Sequence, residues 1–372
     1  MKKLVCVLLC VLMTAPFCVG AAEMEIPETG AQAYVLYCPD TGAVLAASHE
    51  HRRMKPASTT KLMTTLLTLE RAAKGNETVT FSQEMVAEGS SMYLKLGERV
   101  TLRDLAVGMM LSSGNDAANA AALSIGGSIE RFAAMMNDRA AAIGMKDTHF
   151  VTPSGLDDDD HYSSAYDLAL LMAQGLRSED FARLTAQKSG EVKFIEPDNK
   201  RVTYRNHNRL LSLYPDCIGG KTGYTQAAGR CLVSAARRDG LTLICVTLND
   251  RSDWNDHMAL YDYGFSRVKT VRSPDTAFCP DVPLAGGEMP SVAVRGETDF
   301  SAPVTAQTEV QRRVLLPNFL YAPLSEGDVV GCIEYRVGST VIGTVNLIAA
   351  TDAPEAKRRG FFEYIKELFF HG

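Results

Sequence analysis

Metal-binding signatures are missing from this 372-residue chain: it has no H-E-x-x-H, no pair of cysteines at C-x-x-C spacing, and only His49 and His51 of its seven histidines lie close together. We therefore expect no metal and no cofactor. A surplus of positive charge is missing too, since 38 Lys and Arg against 44 Asp and Glu give −6 and a pI near 5.7. Nothing in that balance attracts nucleic acid. Low complexity is absent as well: 46% apolar and 22% charged residues, with 29 glycines and 15 prolines, belong to a globular chain and exclude disorder and fibre. The length favours two domains, or one large domain with an appendage.

One apolar run stands out, from Leu4 to Val19, preceded by Lys2-Lys3, interrupted by Pro16 and followed by Gly20-Ala21-Ala22. A membrane anchor wants about 20 apolar residues and a stop-transfer flank, so residues 1–22 read as a secretory signal peptide cleaved after Ala21 or Ala22. The protein is expected to be exported, to the outer face of the cytoplasmic membrane, the periplasm or the cell wall. Cleavage lowers nine cysteines to six, Cys38, Cys217, Cys231, Cys245, Cys279 and Cys332. Their scatter favours small buried hydrophobes over a disulfide framework, although an exported chain allows either.

Along the mature chain, Ala33–Tyr37 and Ala43–Leu45 flank the turn formers Pro39-Asp40-Thr41-Gly42, a predicted hairpin. Leu62, Met63, Leu66, Leu67 and Leu69 then recur at helical spacing behind Pro56 and Ser58. Residues 102–111, 117–125 and 129–143 read as three more helices, the last running from a Ser128 cap to Gly144. Strand signals return over 218–225, 231–236 and 241–248, followed by a helix over 254–263. Strands, a helical insert, strands and a final helix predict an α+β fold. Beyond about Val271, prolines punctuate short valine-rich runs, and Val341, Gly343, Val345 and Leu347 alternate with polar residues. A small all-β domain over 275–352 is expected, after a larger domain over 23–270. In the tail, 355–372, Phe361, Phe362, Ile365, Leu368 and Phe369 share one helical face beside Lys357, Arg358, Arg359 and Lys366. Such an amphipathic helix either lies in a membrane surface, the reading we favour, or docks on the β domain.

The chemistry starts at Ser58-Thr59-Thr60-Lys61, which puts a hydroxyl and an amine one turn apart on a buried helix. A lysine activates serine only when desolvation or nearby positive charge keeps it neutral. Alone, S-x-x-K is equally a capping serine and a surface lysine. Two further islands change that reading. Ser113-Gly114-Asn115 occupies a polar break between helices, and Lys221-Thr222-Gly223 opens a strand behind Gly219-Gly220, where an ammonium can hold a carboxylate.

S-x-x-K, S-x-N and K-T-G in this order form the signature set of β-lactamases and penicillin-binding proteins. The chain closely resembles the low-molecular-mass penicillin-binding D-alanyl-D-alanine carboxypeptidases over Pro56–Thr64, Ser112–Ala117, Pro153–Asp157, Asn208–Leu211 and Gly220–Thr225. The resemblance implies a β-lactamase/transpeptidase-like domain, an antiparallel sheet with a helical subdomain, before the β domain. It implies that Ser58 is acylated, Lys61 takes its proton and Ser113 relays a proton to the departing D-alanine. Asn115 would orient the substrate amide, Lys221 and Thr222 would bind the terminal carboxylate, and the amides of Ser58 and Tyr224, beside Gly223, would form the oxyanion hole. Implied partners are the peptidoglycan stem peptide and β-lactam antibiotics. Relatives usually carry an arginine near position 253, where this chain has Asp253, so carboxylate recognition is expected to lean on Lys221 and Thr222. Ser154 replaces a frequent histidine, with no function attached, and Asp157–Asp160 reads as a solvated loop. Two alternatives stand beside the carboxypeptidase: a β-lactamase, which would need a deacylating glutamate in a loop that the sequence does not show, and a non-catalytic wall-binding module, which would not need both Lys61 and Lys221.

Overall fold

The computed structural model describes residues 25–357. The expected signal peptide, and the tail from residue 358 onward, lie outside the described residues.

Five antiparallel strands form the central sheet, in the spatial order Ala43–Ser48, Ala33–Cys38, Leu241–Leu248, Gly229–Arg238, Cys217–Thr225. The middle strand, Leu241–Leu248, is buried at every residue. A largely apolar strand buried along its whole length, broken only by Thr242 and Thr247, belongs in a sheet covered on both faces. One face packs on helix Ala165–Leu176, behind which helices Lys61–Lys74, Leu102–Leu111, Asn115–Gly126 and Ile129–Ile143 continue a core that includes Leu62, Met109, Phe132 and Val233. Helix Asp253–Arg267 covers the other face with Leu260 and Tyr261 against Leu232 and Leu243. The outer strand Cys217–Thr225 is therefore the one sheet edge turned toward the helical insert.

Where elements differ from expectation, local chemistry explains it. The helix expected from Ala117 already begins at Asn115, because Ser113 turns the chain at φ +58 and Gly114 occupies the cap position. Helices Ala165–Leu176 and Glu179–Thr185 and the hairpin Ser189–Lys193/Arg201–Arg205 had no strong periodic signal. The two helices are nonetheless started by Ser164 and Ser178, whose side chains accept from the amides of Asp167 and Phe181.

After helix Asp253–Arg267 the chain enters strand Val268–Ser273, which pairs with Phe300–Thr305. A six-stranded sheet then surrounds a separate core of Val292, Val294, Ile333, Tyr335, Val345 and Leu347. Val345 and Leu347 point inward as the alternation predicts, whereas Val341, near the strand's start, is exposed. No described helix is long and apolar enough to cross a membrane.

Candidate active site

Ser58 lies on a 3-10 turn, Ala57–Thr60, leading directly into helix Lys61–Lys74. Ala57 is held at φ +49 by the packing around it. Gly155 presses on its carbonyl, so closely that a Cβ on Gly155 would stand 1.9 Å from Ala57 O, and Gly155 itself sits at φ +81. This crowding fixes the turn that carries the hydroxyl.

Lys61 is fully buried. Its Nζ lies 2.9 Å from Ser58 Oγ and donates to Asn115 Oδ1 and to the Ser154 carbonyl, both at 2.7 Å. Burial above all, and then the charge of Lys221, push its pKa well below the ordinary lysine value, while Asp116 opposes the shift. Opposite stands a second pair: Lys221 Nζ donates to Ser113 Oγ at 3.0 Å and to the Thr222 carbonyl at 2.8 Å, and desolvation lowers this lysine to about 7. Every partner of the two amines is a neutral oxygen.

The edge strand reaches Ser58 because glycines let it. A Cβ on Gly220, at φ +146, would meet Val233 O at 2.2 Å. Gly223 runs so close to the serine turn that a Cβ there would stand 3.0 Å from Ser58 N. The strand's backbone thus passes directly beside the Ser58 amide.

Ser58, Ser113, Thr222, Gly223 and Tyr224 line a cleft of about 490 Å³, with Tyr224 exposed at its rim. Lys61, Asn115 and Lys221 stand buried behind it. All eight residues singled out by the motifs meet here. The cleft also draws on Ser90, His207, Arg230, Asp253 and Trp254. No motif marked these as contributors, and Asp253 attracted notice only as a departure. Asn115 Nδ2 donates to Glu88 O at 2.6 Å, and Asp116 accepts from Ser91 Oγ and from the amides of Met92 and Leu94, so the loop bearing Ser90 hangs on one helix start. Ser154 contributes through its main chain, which side-chain motifs do not report. Its loop is held by neutral His161, lowered to about 4 by burial, whose Nδ1 accepts from the amides of Val151 and Thr152 and whose Nε2 lies 2.9 Å from Thr60 Oγ1. Asp157 Oδ1 accepts from Thr225 Oγ1 at 3.0 Å. No metal-holding group of three or more His, Cys, Asp or Glu occurs among the described residues, whose six cysteines are unpaired.

A serine against a buried amine, faced by a second serine and lysine beneath the edge of an antiparallel sheet, defines a penicillin-recognising serine hydrolase. The D-alanyl-D-alanine carboxypeptidase pattern of peptidase family S11 matches residues 20–252, and the C-terminal domain of penicillin-binding protein 5 matches residues 268–355. The chain belongs to the D-alanyl-D-alanine carboxypeptidase family, S11. It is 30% identical to the D-alanyl-D-alanine carboxypeptidase DacF of Bacillus subtilis, across 98% of this chain and 97% of that one. With DacC of Escherichia coli it shares 32% identity, across 94% and 90%. Penicillin-binding protein 5 of Haemophilus influenzae superposes with a TM-score of 0.64 at 29% identity, covering 89% of this chain and all of the other. A mutant of the Streptomyces K15 DD-transpeptidase superposes at 0.62 with 30% identity, covering 64% and 99%.

Proposed function

We propose that the protein is a serine-type D-alanyl-D-alanine carboxypeptidase, which removes the terminal D-alanine from peptidoglycan pentapeptide stems through a Ser58 acyl-enzyme. The observation that carries the mechanism is the surroundings of Lys61 Nζ. A neutral amine has two N–H groups and one lone pair. With the N–H groups given to Asn115 Oδ1 and Ser154 O, the lone pair is left for the Ser58 hydroxyl, so the depressed pKa and the geometry favour the same protonation state.

Ser58 Oγ attacks the penultimate D-alanine carbonyl as its proton passes to Lys61. The oxyanion is received by the backbone amides of Ser58 and Tyr224, a reading supported by how closely Gly223 passes the Ser58 amide. As the C–N bond breaks, Ser113, held by Lys221, hands its proton to the leaving nitrogen and is reprotonated with the proton that Lys61 took from Ser58, which returns Lys61 to its neutral form. Water then attacks the ester, its proton returns through Lys61, and Ser58 is regenerated. Asn115 holds the substrate amide, and Thr222, on the edge strand beside Lys221, meets the terminal carboxylate. A β-lactam enters by the same attack, but its leaving amine stays tethered, so the acyl-enzyme persists. The larger domain over 23–270 does the chemistry. The 275–352 domain keeps the exported enzyme beside its polymer, together with an amphipathic tail helix at the membrane surface that starts later than expected, beyond the described residues, because Ala353 and Glu355 are bridged to the β domain.

Incubating the wild type and Ser58→Ala with a D-Ala-D-Ala pentapeptide and with fluorescent penicillin tests the proposal. D-alanine release and slow-turnover label from the wild type only are expected. Rapid penicillin turnover would make the protein a lactamase, and no label would make it a binding module.

A further inference from the structure

The cleft holds one side chain with a permanent positive charge, and it is neither motif lysine. Among the described residues lining it, Arg230 alone carries a guanidinium. Its place follows from strand register. Tyr224 is paired with Arg230 and Thr222 with Leu232, and residues two apart on a strand share a face. Leu232 packs in the core shared with helix Asp253–Arg267, so Thr222, Tyr224 and Arg230 all project on that helix's side of the edge strand. The helix's first residue fixes the guanidinium: Arg230 Nη2 and Nε donate to the two carboxylate oxygens of Asp253, at 2.5 and 3.2 Å, and the guanidinium lies 5.6 Å from the Trp254 ring centre. Asp253 is only 3% exposed, whereas the Arg230 side chain is 42% exposed. Two of its five donors are committed, and the other three have no partner among the described residues.

Lys221 is poorly equipped to bind an anion from outside. It is buried, its ammonium is already donated to Ser113 Oγ and the Thr222 carbonyl, and desolvation favours its neutral form. A terminal carboxylate arriving beside Thr222 therefore meets a buried lysine with two donors engaged and a part-exposed arginine with three to spare.

We propose that Arg230, held in register by Asp253, reads the free terminal carboxylate of the substrate and makes the enzyme select for a free C-terminus. This moves the main charge for carboxylate recognition from Lys221, where the sequence placed it, to the neighbouring strand, and it rests on the carboxypeptidase reading above. Arg230 is the specificity-determining residue and Asp253 its positioning residue. Because Asp253 shares the charge, the departing D-alanine is bound by a partly neutralised cation, which favours its release.

The test compares kcat/KM for a D-Ala-D-Ala pentapeptide with a free C-terminus and for the same peptide as its C-terminal amide. Arg230→Gln is expected to lower the acid-over-amide preference about 30-fold, mainly through KM for the acid, with Arg230→Lys recovering part of it. Asp253→Asn is expected to lower the same preference several-fold. Exchanging the pair, Arg230→Asp with Asp253→Arg, returns a guanidinium to the cleft and is expected to restore the preference, which keeps the test open should a single variant fold poorly. An unchanged preference in Arg230→Gln overturns the assignment, and an unchanged preference in Asp253→Asn overturns the positioning role. A wild type that releases no D-alanine from the free acid would instead overturn the carboxypeptidase reading.

Discussion

Charge is buried in two regions of this molecule, under opposite rules. In the C-terminal β domain, Asp275 is 1% exposed and fully answered: Arg312 donates to Oδ1 through Nε and Nη2 at 3.1 and 2.9 Å, Ser273 donates to the same oxygen, and the Tyr335 hydroxyl donates to Oδ2. Tyr335 stacks on Phe300, and Arg312 lies over Phe278. Opposite charges meet there, and the cluster ties strand Gln311–Leu315 to the turn at Asp275–Ala277. In the peptidase region two lysines of like sign are buried and receive only neutral oxygens. The first arrangement stabilises the ionised state and holds parts together. The second penalises that state, which a fold tolerates when the neutral amine is what the chemistry uses.

Lys61→Met separates the two arrangements most sharply. Replacing a buried amine with an apolar side chain of similar length should cut acylation by about 10³-fold or more while leaving the melting temperature unchanged or higher. Stopped-flow acylation and calorimetry read the two effects, and a large loss of stability would mean that Lys61 is structural like Asp275. Gly155→Ala follows, because its Cβ would collide with backbone at Ala57. We expect about 3 kcal/mol of lost stability together with slowed acylation of Ser58. Asp275→Asn should do the reverse of Lys61→Met, costing about 2 kcal/mol in the β domain because Arg312 stays partly solvated, with kcat unchanged. A fall in kcat would show that the two regions are coupled.

Acid gives the smallest effect. His161 and His257 are buried neutral, lowered to about 4 and about 3 by desolvation. Between those values and 6.5 the unfolded chain binds protons that the folded chain does not, so stability rises with pH over that interval and is lost on acidification. From pH 7 to 5.5 the loss is about 1 kcal/mol per histidine. Residues 268–357 contain no histidine, so hydrogen exchange should show the weakening in the peptidase region and not in the β domain.

Much of this was legible before any coordinates. Hydrophobic periodicity marked helices 102–111 and 129–143 and the strands around 218–248, because amphipathic spacing follows directly from which face is buried. The three islands at Ser58, Ser113 and Lys221, which meet at one cleft, could be found because they are patterns of side chains. Contributions made by main chain were hidden: the Ser154 carbonyl on Lys61 and the path of the edge strand past the Ser58 amide have no residue code. The Arg230–Asp253 pair was hidden for a different reason, since its partners are 23 residues apart and meet only through strand register and a helix start.

From the residues alone came the class of fold, the candidate nucleophile, the two lysines and their order along the chain. Tertiary structure decided which lysine has acceptors for both N–H groups and a serine for its lone pair, and which cation faces the cleft. Those outcomes depend on burial and on distances of about 3 Å between segments far apart in the chain, quantities set by packing and not by any local pattern.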